Sequence, residues 1–377
     1  MITKNKVEMA RFLSDAMFSS YDRYRSDQKL EQDTGLLKSY FIEAHVDKNN
    51  DNTNHDSIMT FLGQISQILR IRVEESEDES LFNINHGKDT YYLDTSDARF
   101  WILHTLALST RSDKLINEMV KSSPDLDNAW LSAQFLEKIS SFGYFKGFGA
   151  VHDETPMMDK NVEAEVESMH LRLWGGSARS VLDSLHKSHA LMHSLALSSV
   201  RLKYWLPGYE DEAITDNFTF DGKVTAVGKS FISHTNLISR VHSEYSRSIK
   251  NIEEELSIRY VEKEGTNSLE GHPIIISLSR KLIDINKFVS RVFSSALPFR
   301  LWGLPEIIGD DFIRVYAVDL HIGHELLFEI STDFIRIYLP TGTCGNTIAR
   351  FYTNIQQYYD SMASISGGKR ERLFKES

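Results

Sequence analysis

The chain has 377 residues, enough for two or three domains that each bury a core. Hydrophobic residues at 41%, charged residues at 25% and aromatics at 11% exclude a disordered chain. A net charge of −11 argues against a wholly basic nucleic-acid binder, and a single cysteine, Cys344, excludes an intrachain disulfide or a four-thiolate zinc site.

The first fifteen residues are rich in charge and lack the apolar core of a signal peptide. No apolar run approaches the ~18 residues of a membrane span, so the expected location is the cytoplasm. Residues 1–43 read as helical, with an apolar stripe at Val7, Phe12, Leu13, Met17 and Tyr21. The Asn/Asp-rich stretch 44–57 reads as a loop, followed by the helix SIMTFLGQISQIL. Two or three short strands follow, with an acidic turn at 74–79. DARFWILHTLAL and DNAWLSAQFLEKISSF read as amphipathic helices and GYFKGFGAV as a β-wing after them. A winged helix over 100–152 fits that order but lacks clustered Lys and Arg.

The pattern changes after the polar stretch 152–161. SMHLRLW and SVRLKYWL alternate like strands, and FTFDGKVTAV reads as a hairpin turning at Asp221-Gly222. SIRYVEKE, PIIISLS, FIRVYAVDL, ELLFEIS and FIRIYL are further strands. Helices are expected at about 177–197, 231–256, 282–296 and 346–362. The expected class is α+β: a mostly helical domain with a small β-hairpin element over 1–155, a largely antiparallel sheet with packed helices over 156–366, and a flexible basic tail over 367–377.

Three groups of residues carry chemistry. His186, His189 and His193 are spaced three and four apart, so one helix face presents all three. Neutral imidazoles converging from a rigid helix are a divalent-metal geometry, with Asp183, Glu163 or Glu167 as the carboxylate. A helix flank beside an apolar stripe explains the same spacing. The turn LPTGTCGNT puts Gly342, Thr343, Gly345 and Asn346 at the start of a helix, where free amides favour an anion. At least one of the two glycines is expected to take a positive φ. Arg201, Lys203, Lys223 and Lys229 form a candidate nucleic-acid contact.

Two weaker patterns do not complete a motif. In AVGKSF, Gly222 stands one residue too far from Gly-Lys-Ser for a phosphate loop. Asp319, His321, His324 and Glu325 gather at a hairpin turn, where solvent alone selects polar residues.

No catalytic constellation is complete. The expected function is therefore non-catalytic: a protein-binding or ligand-sensing subunit of a larger prokaryotic cytoplasmic assembly, with protein partners, no membrane and no cofactor. The alternative is a metal-dependent hydrolase or nuclease using the histidine column and a divalent metal. Stoichiometric metal separates the two.

Overall fold

The structure is a computed structural model that describes residues 1–27, 36–46, 55–153, 168–188, 195–263, 265–367 and 371–372. The class is α+β, as expected. The chain forms two compact units, and neither is continuous in sequence. Unit 1 comprises 1–129, 140–145 and 201–243; unit 2 comprises 130–139, 146–200 and 244–377. The units therefore do not follow a linear division at 155/156. No helix among the described residues is long and apolar enough to cross a membrane.

Unit 1 is built on an antiparallel sheet. Its strands neighbour one another in the order Arg72–Glu75, Leu81–His86, Asp89–Asp94, Phe100–Thr105, Leu37–Ala44, Lys223–Gly228 and Ile214–Thr219. The short strand Leu126–Asn128 also pairs with Leu37–Ala44. Leu37–Ala44 is central, and all eight of its residues are buried. Its Tyr40, Ile42 and Ala44 join a core with Ile58, Phe61, Leu62 and Ile65 of helix His55–Leu69. Leu115, Ile116, Met119 and Val120 of helix Ser109–Ser122 join the same core. Ser39 and Phe41 point the other way, towards His234 and His242 on the first half of helix Phe231–Asn251.

Two segments expected as helix are strands. SYFI and FWILHT are aromatic and β-branched runs, which favour the pleated surface. Both strands are buried on both faces, so no alternation marks them and a helical stripe can be drawn through them. With Phe100–Thr105 a strand, a winged helix over 100–152 loses its first helix. The hairpin at Asp221-Gly222 forms as read. Gly222 has φ +78°, and a Cβ there would meet the Ala129 carbonyl at 2.6 Å.

Unit 2 holds a seven-stranded antiparallel sheet in the order Leu301–Gly309, Phe312–Asp319, Glu325–Ser331, Phe334–Tyr338, Ile274–Ser277, Ser364–Gly367 and Glu371–Arg372. One face presents Ile313, Val315, Ala317, Phe328, Ile330, Ile335 and Ile337, all buried. Helices Ile285–Val292 and Asn346–Tyr358 supply much of its cover. Phe328 lies 4.9 Å from Phe293 and 5.2 Å from Phe351, ring centre to ring centre. Gly303 admits this packing, because a Cβ there would meet Val315 Cγ1 at 2.5 Å. Histidine-bearing helix Ala178–Lys187 is shorter than the expected 177–197, and Ala196–Tyr204 is a strand.

Candidate functional site

The second face of the unit 2 sheet is the most distinctive described surface. Leu301–Gly309 is an edge strand, and sequence reading passed over it because Pro305 sits in its middle. The Leu301 carbonyl accepts the Ser295 N–H on the side away from its strand partner. Gly303 and Pro305 share that outward side by alternation, so the missing proline N–H costs the ladder nothing. On the face opposite the core, Trp302 stands across from Val318, Leu304 from Tyr316 and Glu306 from Arg314. Trp302 is 50% exposed, Leu304 61% and Tyr316 51%.

A charge network runs beside these apolar residues. Arg314 lies 3.6 Å from Glu306 and 3.2 Å from Glu329; Arg336 lies 2.8 Å from Glu329. The Tyr338 hydroxyl donates to Glu329 at 3.1 Å. Burial alone would push the Glu329 carboxyl up, but the hydrogen bonds from Arg336, Arg314 and Tyr338 outweigh it and hold the group below its ordinary value. Arg314, Arg336, Glu306 and Glu329 are thus matched among themselves, while Glu325, across from Val318 on the same face, is exposed.

Unit 1 contains a buried polar chain. Asp216 Oδ2 lies 2.7 Å from His234 Nδ1, His234 Nε2 lies 2.8 Å from Ser39 Oγ, and Ser39 Oγ lies 2.7 Å from His104 Nδ1. The first three groups follow the order of a catalytic acid, base and nucleophile. Their burial argues for another role: all four residues are between 0% and 3% exposed, and Phe231 packs 5.1 Å from His104. Two proton orders satisfy the chain. An ionised Asp216 accepts from His234 Nδ1–H, so Ser39 donates to His234 and accepts from His104. A protonated Asp216 reverses every bond. Burial pushes the Asp216 carboxyl up while His234 pulls it down, and Asp216 Oδ1 has no hydrogen-bond partner among the described residues. Burial, then the His234 charge, pushes His104 down to about 3, so it is neutral at ordinary pH. The chain braces three strands and a helix.

The expected site residues fall as follows. His189, His193, Glu163 and Glu167 lie outside the described residues. Asp183 pairs with Arg179 at 3.6 Å and His186 with Glu137 at 3.8 Å. In the glycine turn, Gly342 has φ +84°. The Gly345 amide donates to Glu253 Oε1 at 2.6 Å, so a carboxylate of the chain itself takes this amide. Thr343 and Asn346 are buried, and Asn346 accepts from the Tyr245 hydroxyl. Of the basic residues, Lys223 is held by Asp113 at 2.7 and 2.8 Å. Lys229 lies over the rings of Phe18 and Tyr21. Arg201 and Lys203 sit together on the strand Ala196–Tyr204. Asp319 and His321 at the hairpin turn are buried, and Asp319 binds Arg350 and Thr347.

The buried chain escaped sequence reading because its parts are scattered: Ser39 stands 65 positions from His104 and 195 from His234. Ser39 sits in an apolar run, and no local spacing marks it. The open face escaped because its apolar residues lie in a strand that proline conceals.

The similarity to known proteins extends over nearly the whole chain. The uncharacterized protein MJECL33 of Methanocaldococcus jannaschii is 26% identical over 395 aligned residues, covering 95% of this chain and 92% of that protein. The family model for MJECL33-like proteins matches residues 1–374, and the chain belongs to that family.

Proposed function

We propose that this chain is a non-catalytic, cytoplasmic recognition subunit of a larger assembly, and that the open sheet face of unit 2 docks a partner protein. The supporting observation is the cluster of half-exposed Trp302, Leu304 and Tyr316 beside charges already matched among themselves. Tryptophan and tyrosine are enriched in binding hot spots, and their rigid rings give large contact area at low entropic cost. Around Trp302, Leu304 and Tyr316 the two arginines are already paired with Glu306 and Glu329 and ask for no opposite charge, so an apolar protein surface suits this part of the face. Pro305 removes one outward N–H from the edge, which favours docking on the face over strand addition.

A photo-crosslinking residue placed at position 302 or 316 tests this in the native cell. The expected result is one protein captured from both positions. That protein, once purified, binds the wild-type chain and loses about tenfold or more of its affinity to Trp302→Ala. Equal binding by the variant, or no capture, overturns the reading. Stoichiometric metal lost in His189→Ala would replace it with the hydrolase alternative.

A further inference from the structure

The geometry points to a second binding surface, on unit 1: an exposed tyrosine stacked on a half-buried tryptophan, with cations nearby, that takes single-stranded nucleic acid. Three segments build it. Gly143 abuts the backbone at Lys203 and Tyr204, where a Cβ would meet the Lys203 carbonyl at 2.8 Å. This close approach sets Tyr144 beside Trp205, with ring centres 4.9 Å apart and planes within 9°. Tyr144 is 63% exposed. Lys203 is exposed, and its Nζ lies 5.6 Å from the Trp205 ring centre. The third segment is the helix Phe231–Asn251. Its Asn236 accepts from Tyr204 at 2.5 Å, and exposed Arg240 lies over Phe142 at 3.9 Å.

In the strand Ala196–Tyr204, Val200 and Leu202 are buried, so Arg201 and Lys203 share the opposite face. Lys203 thus lies against the Trp205 ring, with Arg201 on the same strand face and Arg240 over Phe142, two residues before Tyr144. This is the composition of a stacking platform for unpaired bases: a planar π-face for the base, with nearby cations for the phosphate. It is not the composition of a duplex reader, which needs an element shaped to a groove. Of the basic residues singled out from sequence, Arg201 and Lys203 belong to the platform. Lys223 and Lys229 lie on other segments, beside Asp113 and beside Phe18 and Tyr21. The net charge of −11 opposes long-range attraction of a polyanion, so the contact is local and stacking dominates it.

Fluorescence anisotropy of short labelled oligothymidylate and oligouridylate with the purified full chain at low salt tests the inference. Single strands should bind more tightly than a duplex of equal length. Tyr144→Ala should weaken binding at least about fivefold, while Tyr144→Phe, which keeps the ring, should restore it. Lys203→Ala should lower the salt slope by about 0.7, the contribution of one single-strand phosphate. Tyr144 is exposed, so its variants should melt like wild type, and a melting curve verifies this. No binding, equal binding of duplex, or Tyr144→Ala binding like wild type overturns the inference. So does a basic proline-rich peptide that binds the same rings while nucleic acid does not. Trp302→Ala should leave oligonucleotide affinity unchanged, which keeps this result separate from that for the unit 2 face.

Discussion

His234 Nδ1 lies 2.7 Å from Asp216 Oδ2, and neither side chain is exposed to solvent. The pair is the inner end of the hydrogen-bonded run to Ser39 and His104, and each member satisfies the other where water does not reach. Removing one partner leaves the other buried without its bond. His234→Ala should therefore lower unfolding free energy by roughly 3–5 kcal/mol, the usual cost of breaking a buried pair. Urea denaturation followed by circular dichroism measures this. A midpoint equal to wild type would show that the chain carries no stability.

The same run makes stability depend on pH. His104 is held at about 3 in the folded protein, against an ordinary value near 6.5. The unfolded chain therefore binds more protons between these values, so stability should fall as pH drops from about 6.5 towards 3. Asp216 is shifted up, so its contribution has the opposite sign: present at low pH, and lost as pH rises through its folded value. The groups facing His104 are His234, Asp94 and Lys6, and all remain in a His104→Asn variant. That variant should show a flatter pH–stability curve over this window than wild type. An unchanged slope would remove His104 as its source.

The glycine turn offers a comparison between two substitutions. Gly342 has φ +84° with open space around it, so Gly342→Ala should cost about 1 kcal/mol through backbone strain alone. Gly345 has ordinary helical φ, but a Cβ would meet the Ile249 carbonyl at 2.9 Å and Glu253 Cγ at 3.0 Å. Gly345→Ala should lower the melting temperature further, because it also displaces the Glu253 carboxylate from its amide. The reverse order in thermal melts would contradict the assigned cap.

Elemental analysis addresses the histidine column. Asp183 and His186 already have ionic neighbours in Arg179 and Glu137. The purified chain should carry no stoichiometric zinc, manganese or iron, and a chelator should leave its melting temperature unchanged. One metal per chain, lost in His189→Ala, would establish a metal site there.

Legibility in the sequence followed exposure. The helix Phe231–Asn251 and the hairpin at Asp221-Gly222 could be read because one face of each meets solvent and imposes a period. Leu37–Ala44 and Phe100–Thr105 could not, because burial on both sides erases that period. Among the candidate sites, Arg201 and Lys203 were legible as charges, but their aromatic neighbour Tyr144 comes from a distant segment. Ser39 and the two histidines beside it meet only through sheet pairing and helix packing, which local spacing does not encode.

The interleaving of unit 1 along the chain bears on its synthesis. The central strand emerges early, yet Ser39 and His234 stand 195 positions apart. At bacterial-to-eukaryotic elongation rates the second emerges roughly 10–40 s after the first. Through that interval Leu37–Ala44 has an unpaired edge and an uncovered imidazole-binding serine, and hydrophobic strands in this state are prone to aggregate. A nascent chain halted before residue 214 should accordingly bind holdase chaperones, and release should coincide with arrival of the Ile214–Gly228 hairpin and the helix that follows it.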